Sequence, residues 1–87
     1  MKIVFIGASW CTSCLLMRSR VQKALIEYPE ISVTWLDVDD DQEKAEKFTP
    51  GNVLPVMVFV DNDKVLARII GEVAYKKLII TIKDITS

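Results

Sequence analysis

The chain contains two cysteines, Cys11 and Cys14, separated by Thr12 and Ser13. An apolar run precedes the pair and a segment with helical periodicity follows it, which is typical of a strand-to-helix junction. On a helix, residues three apart share one face, and their Cα atoms lie roughly 5 Å apart, within reach of a disulfide bond. We therefore interpret the pair as a redox-active dithiol.

The two thiols are expected to differ in their surroundings. Cys11 should lie among the unpaired N–H groups of the first helical turn, at the positive end of the helix dipole. Both effects favour the thiolate, which is the nucleophilic form of cysteine. Cys14 should lie a turn deeper, where it is more shielded and less acidic. This asymmetry predicts Cys11 as the attacking nucleophile and Cys14 as the resolving thiol.

Three other uses of the cysteines compete with this interpretation. A structural disulfide closing so short a loop would contribute roughly 2 kcal/mol, the low end of the range. A zinc or iron–sulfur site needs about four ligands. The chain has no histidine, so only a dimer or carboxylates could supply the rest. The third use is a pair of ordinary buried cysteines. Spacing and context favour the dithiol, and no metal site is predicted.

Composition limits the remaining function classes. The 87 residues predict one domain, 1–87, and 51% hydrophobic residues can form a core without a crosslink. A net charge of −1 gives no electrostatic argument for binding nucleic acid or an anionic membrane. The apolar runs are too short to cross a bilayer. Without histidine, Ser-His and Cys-His hydrolysis are excluded.

The N-terminal residues predict a cellular compartment. The segment after Met1 lacks the long apolar stretch and the cleavage site of a secretory signal, which favours the cytosol. In the cytosol a cysteine pair is more often catalytic than structural. We also expect the protein to be a monomer.

Periodicity predicts the element order β-α-β-α-β-β-α, an α/β fold. The strands are predicted over 2–6, 31–37, 53–60 and 64–70, and the helices over 11–28, 42–48 and 73–85. Thr49-Pro50-Gly51 should end the second helix, and an aspartate of the cluster at 37–41 should cap its start. Leu15 and Leu16 lie off the main apolar stripe of the first helix. We expect them to join the core, with a docking surface as the alternative.

The chain resembles the thioredoxin family over nearly its whole length. The resemblance rests on Trp10-Cys11-Thr12-Ser13-Cys14, on Leu54-Pro55, on the hairpin 59–65 and on Gly71. It implies a minimal thioredoxin-like fold, a central four-stranded mixed sheet flanked by helices. It also implies a cis peptide bond before Pro55. The substrate-contacting residues that it implies are Trp10, Thr12, Ser13, Leu54, Pro55 and Gly71.

Four residues depart from the family pattern. Thr12-Ser13 replaces the usual Gly-Pro between the cysteines, and Val56 replaces the threonine that follows the proline. Phe5 occupies the position at which thioredoxins bury an aspartate beneath the second cysteine. That aspartate accepts a proton, so Cys14 should lose its proton by another way, through water.

The resemblance implies a small thiol–disulfide oxidoreductase that reduces protein disulfides. No bound cofactor is expected beyond the redox-active cysteine pair, and a reductase similar to thioredoxin reductase, or the glutathione system, would regenerate the dithiol. Two alternatives stay open. One is a glutaredoxin-like, glutathione-dependent enzyme, which the small size favours. The other is a non-catalytic thioredoxin-fold module that binds a partner protein or a shared metal.

Overall fold

A computed structural model describes residues 1–48 and 53–86 of the chain. Its elements are, in order, β1 (Lys2–Gly7), α1 (Thr12–Glu27), β2 (Ser32–Asp37), α2 (Gln42–Glu46), β3 (Val56–Asp61), β4 (Lys64–Ile70) and α3 (Tyr75–Thr86). The predicted order of strands and helices is confirmed. The predicted stop after the second helix, 49–51, lies outside the described residues.

The four strands form one mixed sheet in the order β2-β1-β3-β4. β1 pairs with β2 in parallel and with β3 antiparallel, and β3 pairs antiparallel with β4. Because β1 and β2 are parallel, their carboxyl ends meet at one edge of the sheet, where Gly7 is the register partner of Asp37. The cysteine-bearing loop leaves the sheet at this edge. The predicted four-stranded mixed sheet flanked by helices is confirmed.

Both faces of the sheet are covered, as the continuous apolar run of β1 predicts. Residues Ile3 to Gly7 of β1 are all buried. One face packs against α1 and α3 through a cluster of buried side chains: Ile3, Phe5, Cys14, Met17, Val21, Ala24, Ile31, Met57, Phe59, Ile69, Leu78 and Ile82. The opposite face packs against α2 through a smaller cluster: Val4, Ile6, Leu36, Ala45, Val56, Val58 and Val60.

Two predicted element starts are wrong by two or three residues. β3 begins at Val56 rather than at Val53, directly after Pro55, which has no N–H to donate to the ladder. α3 begins at Tyr75 rather than at Val73. The N–H of Val73 instead bonds the sulfur of Met17 in α1, at 3.4 Å. Local periodicity does not show this contact between α1 and the segment before α3.

The hairpin between β3 and β4 turns at Asn62 and Asp63, which have φ angles of 50° and 67°. Positive φ at both central residues is the pattern of a type I′ turn, which matches the twist of the strands. Asparagine and aspartate tolerate this region better than other non-glycine residues. This explains how a tight turn forms here without glycine.

The predicted core position of Leu15 and Leu16 is wrong. Their side chains are 60% and 46% exposed, because α1 turns the face carrying Cys14, Met17 and Val21 towards the sheet. Within the described ranges, no helix has the length and apolar composition needed to cross a bilayer.

Candidate active site

Cys11 is the N-cap residue of α1. Its backbone is extended, with φ −97° and ψ 112°, and its sulfur accepts the N–H of Cys14 at 3.2 Å. The sulfur therefore takes the position that a serine or aspartate oxygen takes at other helix starts. The N–H of Cys11 donates to the carbonyl of Ala8 at 3.2 Å, which holds the loop before the helix. The half-buried Cys11 sulfur thus lies at the positive end of α1.

Cys14 lies one turn further along α1 and is only 4% exposed. Both cysteines are free thiols in this structure. The pKa of Cys14 is raised to about 11, mainly by burial and next by the side-chain hydrogen bond with Cys11. The negative charge of Asp37 acts in the same direction. At neutral pH Cys14 is therefore protonated.

The sulfur of Cys14 packs against β1 at Gly7. A Cβ atom at Gly7 would lie 3.1 Å from the Cys14 sulfur and 3.1 Å from the Phe5 ring. The absence of a side chain at this position lets the helix approach the strand. Phe5 is itself buried and packs against Trp35, with 5.0 Å between ring centroids. Apolar groups therefore lie beneath Cys14.

Trp10 is the most exposed large hydrophobic residue beside the cysteines, with 69% of its surface accessible. Its indole Nε1 donates to Asp39 Oδ2 at 3.0 Å. Asp39 belongs to the turn that follows β2, so this bond ties the cysteine loop to that turn. Thr12 is exposed and Ser13 half-buried in the first turn of α1. These four positions from Trp10 to Ser13 form one continuous surface segment.

The remaining predicted contact residues lie together at the start of β3. The Leu54–Pro55 bond is cis, and the N–H of Gly71 donates to the carbonyl of Pro55 at 2.8 Å. Gly71 has φ +82°, a conformation that favours glycine. Leu54 and Cys11 both pack against the core cluster that contains Cys14. That shared packing links the two groups of predicted site residues.

The turn after β2 differs from its prediction. Asp41 is the N-cap residue of α2, but its side chain makes no capping hydrogen bond. Asp41 Oδ2 instead accepts the N–H of Asp37, while Asp37 Oδ1 accepts the N–H groups of Asp39 and Asp40. The carboxylates therefore stabilise the turn. In the part of the chain described, no group of three or more His, Cys, Asp or Glu side chains is arranged to hold a metal.

Sequence reasoning missed three residues beside the cysteines: Gly7, Asp37 and Asp39. The sequence predicts a first strand that ends before Gly7, and it gives the aspartates at 37–41 only the role of capping the second helix. A signal was nevertheless present, because the carboxyl ends of adjacent parallel strands meet at one edge of a sheet. The Trp10–Asp39 bond depends on the loop conformation and has no comparable sequence signal.

Comparison with known proteins gives consistent matches. A family model described as Thioredoxin matches residues 2–84. Thioredoxin-1 of Saccharomyces cerevisiae is 28% identical over 69 residues, which cover 79% of this chain and 66% of that protein. A "Disulfide bond formation protein" of Brevibacillus choshinensis is 31% identical over 74 residues, which cover 84% of this chain and 63% of that protein.

Solved structures match over a larger share of both chains. The X-ray structure of Fasciola hepatica thioredoxin has a TM-score of 0.85 and 30% identity, covering 95% of this chain and 78% of that one. The chain spans only 51% to 66% of the length of the curated relatives that it matches. The family match covers nearly all of its residues. The chain therefore belongs to the thioredoxin family.

Proposed function

We propose that this chain is a thiol–disulfide oxidoreductase that reduces disulfide bonds in proteins through Cys11 and Cys14. One observation carries the proposal: the half-buried Cys11 sulfur caps α1 and accepts the N–H of Cys14, which is itself buried one turn on. Backbone donors at a helix N-terminus stabilise a sulfur anion, and a thiolate is the attacking species in disulfide exchange. Family membership supports the same chemistry.

The reaction has two exchange steps. The Cys11 thiolate attacks one sulfur of the substrate disulfide, forms a mixed disulfide, and releases the other substrate sulfur as a thiolate. Cys14 then loses its proton and attacks the Cys11 sulfur. The Cys11–Cys14 bond forms, the mixed disulfide breaks, and the second substrate thiolate leaves. The substrate gains two electrons and the cysteine pair loses two.

The substrate chain would lie beside Cys11, against the residues that the family resemblance implies. Trp10 offers an exposed ring, and the segment Leu54-Pro55 lies next to Gly71 through the backbone bond between Gly71 and Pro55. Thr12 and Ser13 lie on the same surface, between the cysteines. These contacts would orient an extended peptide with its disulfide at the Cys11 sulfur.

Regeneration would come from a reductase similar to thioredoxin reductase or from glutathione, with no bound cofactor. A reducing function also fits the monomeric, cytosolic protein that the sequence predicts. A protein that reduces disulfides when glutathione is its only electron source would be glutaredoxin-like instead. A protein that keeps its function as Cys14→Ser, or that purifies with stoichiometric metal, would be a binding module.

The opposite direction of electron flow is the second candidate. A relative with 31% identity is named a disulfide bond formation protein, which favours an oxidant. The residues between the cysteines argue against an oxidant. A histidine there would place a positive charge beside the Cys11 thiolate, stabilise the reduced form and make the pair more oxidising. This chain has Thr12 and Ser13 instead.

The reduction potential of the cysteine pair tests both directions. The protein is equilibrated in graded dithiol and disulfide buffers, free thiols are alkylated, and the products are counted by mass. We expect a single two-electron transition near about −270 mV, the value of thioredoxin. Cys11→Ser and Cys14→Ser are the matched controls, and neither should show this transition.

Other outcomes change the conclusion. A potential near about −120 mV would make the protein an oxidant. Thiols that never pair in any buffer would contradict the proposed function itself and favour the binding module.

A further inference from the structure

A cavity of about 190 Å³ opens beside the resolving thiol. Cys14 lies on its wall, together with Phe5, Gly7, Arg18, Trp35, Asp37 and Asp41 among others. The volume is sufficient for several water molecules, and the wall offers polar groups to bind them. The cavity therefore connects a buried thiol with two carboxylates.

The sheet register brings Asp37 to the same side as Cys14. Gly7 and Asp37 are direct partners in the parallel ladder between β1 and β2, as are Phe5 and Trp35 two residues earlier. Partners in register point to the same face of a sheet, and adjacent strands lie about 4.8 Å apart. The Cys14 sulfur contacts Gly7 on this face. Asp37 is thus one strand away from the thiol.

The hydrogen bonds of Asp37 leave part of its carboxylate for another role. Oδ1 accepts the N–H groups of Asp39 and Asp40 at 2.8 Å and 3.2 Å, and Oδ2 takes part in neither bond. The other carboxylate on the cavity wall, Asp41, accepts the N–H of Asp37 through its own Oδ2. Asp37 is the carboxylate whose charge acts on Cys14.

Among the described residues, the titratable or charged groups near the Cys14 thiol besides Asp37 are Asp41, Cys11 and Arg18. Asp41 already accepts the backbone N–H of Asp37, and only Asp37 is the carboxylate whose charge acts on Cys14. The Cys11 sulfur is bonded to substrate when Cys14 must react. The Arg18 guanidinium stacks on Trp35 at 4.8 Å and carries no acceptor. Phe5 is apolar.

We propose that Asp37 accepts the Cys14 proton through water in this cavity when the mixed disulfide is resolved. The inference rests on the proposed function. The proton passes from the Cys14 sulfur through water to the Asp37 carboxylate, and the sulfur attacks Cys11. The Cys11–Cys14 bond forms, the bond from Cys11 to the substrate breaks, and the substrate sulfur leaves with the electron pair. Asp37 then releases the proton to solvent.

Stopped-flow mixing with dithiobis(nitrobenzoate) isolates this step. Attack by Cys11 releases one coloured thionitrobenzoate in a phase that depends on reagent concentration. Attack by Cys14 releases the second in a phase that does not. We expect Asp37→Asn to slow the second phase about 100-fold at neutral pH, as for loss of a positioned base, and to leave the first phase unchanged.

The direction of the effect separates a proton acceptor from a simple charge. The Asp37 charge raises the pKa of Cys14, so a variant without it lowers that pKa and would resolve faster if charge alone mattered. The asparagine Oδ1 still accepts the N–H groups of Asp39 and Asp40, which preserves the turn. Asp40→Asn, an exposed carboxylate in the same turn, is the matched control and should resolve at the wild-type rate.

The pH dependence of the wild-type second phase gives a measurement that needs no variant. Transfer to Asp37 predicts a rate nearly independent of pH between about pH 6 and pH 9. Direct loss of the proton to hydroxide predicts a tenfold rise per pH unit over this range, since burial holds the pKa of the Cys14 thiol above its ordinary value. Asp37→Glu retains a carboxylate and should recover part of the rate lost in Asp37→Asn.

Three results would overturn the inference. The first is a second phase in Asp37→Asn that is as fast as in wild type. The second is a wild-type second-phase rate that rises tenfold per pH unit, and the third is a second phase that is slowed by Asp41→Asn but not by Asp37→Asn. A wild-type protein that releases only one thionitrobenzoate, because Cys14 does not react, would contradict the proposed function instead. The two failures are therefore distinguishable in one experiment.

Discussion

At the scale of single residues, Cys11 and Cys14 differ through their neighbours rather than through their chemistry. The Cys11 sulfur caps α1 and accepts a backbone N–H, whereas the Cys14 sulfur is buried against Gly7 and Phe5. Burial favours the neutral thiol, because a charged sulfur there loses its hydration. This neutral state contributes to the stability of the reduced protein.

The Cys14 proton predicts a pH dependence of unfolding. Its pKa is about 11 in the folded protein, against 9.0 for an ordinary thiol. The unfolded chain therefore releases this proton first, so the stabilising contribution is complete below pH 9 and is lost as pH rises through about 11. We expect the free energy of unfolding of the reduced protein to fall by about 2–3 kcal/mol over this interval.

Urea denaturation in the presence of a reductant measures this contribution. Cys14→Ala is the control because it has no thiol to titrate at this position. The stability that it loses through weaker packing should be the same at each pH. The difference in unfolding free energy between wild type and Cys14→Ala should shrink with rising pH. A constant difference from pH 8 to 11 would show that burial does not hold the proton on Cys14.

At the scale of elements, Arg20 connects α1 to the loop between β4 and α3. Its Nη1 donates to the carbonyl of Val73 at 2.7 Å and forms an ion pair with Glu72 at 3.0 Å. The sulfur of Met17 accepts the N–H of Val73 in the same region. This loop begins at Gly71, so Arg20 holds the loop against the helix that carries the cysteines.

Two variants separate the contributions of the two Arg20 contacts. Arg20→Met keeps the aliphatic stem but removes both the donor to the Val73 carbonyl and the ion pair with Glu72, and we expect it to lower the unfolding free energy by about 1–2 kcal/mol. Glu72→Gln removes only a partly exposed charge pair and should cost less than about 0.5 kcal/mol. Chemical denaturation measures both. Equal costs would mean that the ion pair, rather than the backbone bond, holds the loop.

At the scale of the whole molecule, α1 and α3 must both pack on one face of the sheet to close the larger core. Leu78 and Ile82 of α3 are fully buried in the cluster that contains Met17 and Cys14. A domain of this size has a net stability of only about 5–15 kcal/mol, so one buried side chain is a large fraction of it.

Truncation of α3 tests this dependence. Leu78→Ala removes a side chain with no exposed surface and should lower the unfolding free energy by about 2–5 kcal/mol. Ile80→Ala, on the same helix but 43% exposed, is the matched control and should cost less than about 1 kcal/mol. Thermal denaturation measures both. Similar costs for the two variants would mean that α3 does not complete the core.

Much of the fold was predictable because local patterns carry it. The continuous apolar run of β1, the helical spacing of Met17, Val21 and Ala24, and the alternation in β4 each belong to one segment of chain. The structure confirms the element order from them. The starts of β3 and α3 were predicted wrongly, since the missing N–H of Pro55 and the Met17–Val73 bond are not part of local periodicity.

The sequence alone determined the chemistry available to this protein. Two cysteines at helical spacing, in a chain without histidine, favour a dithiol over metal or imidazole chemistry, and that conclusion needs only residue types and separations. The tertiary structure decided what surrounds them. It pairs Gly7 with Asp37, bonds Trp10 to Asp39 and leaves Leu15 exposed. These features depend on which strands are neighbours and how α1 crosses the sheet, and contacts between residues distant in sequence set both.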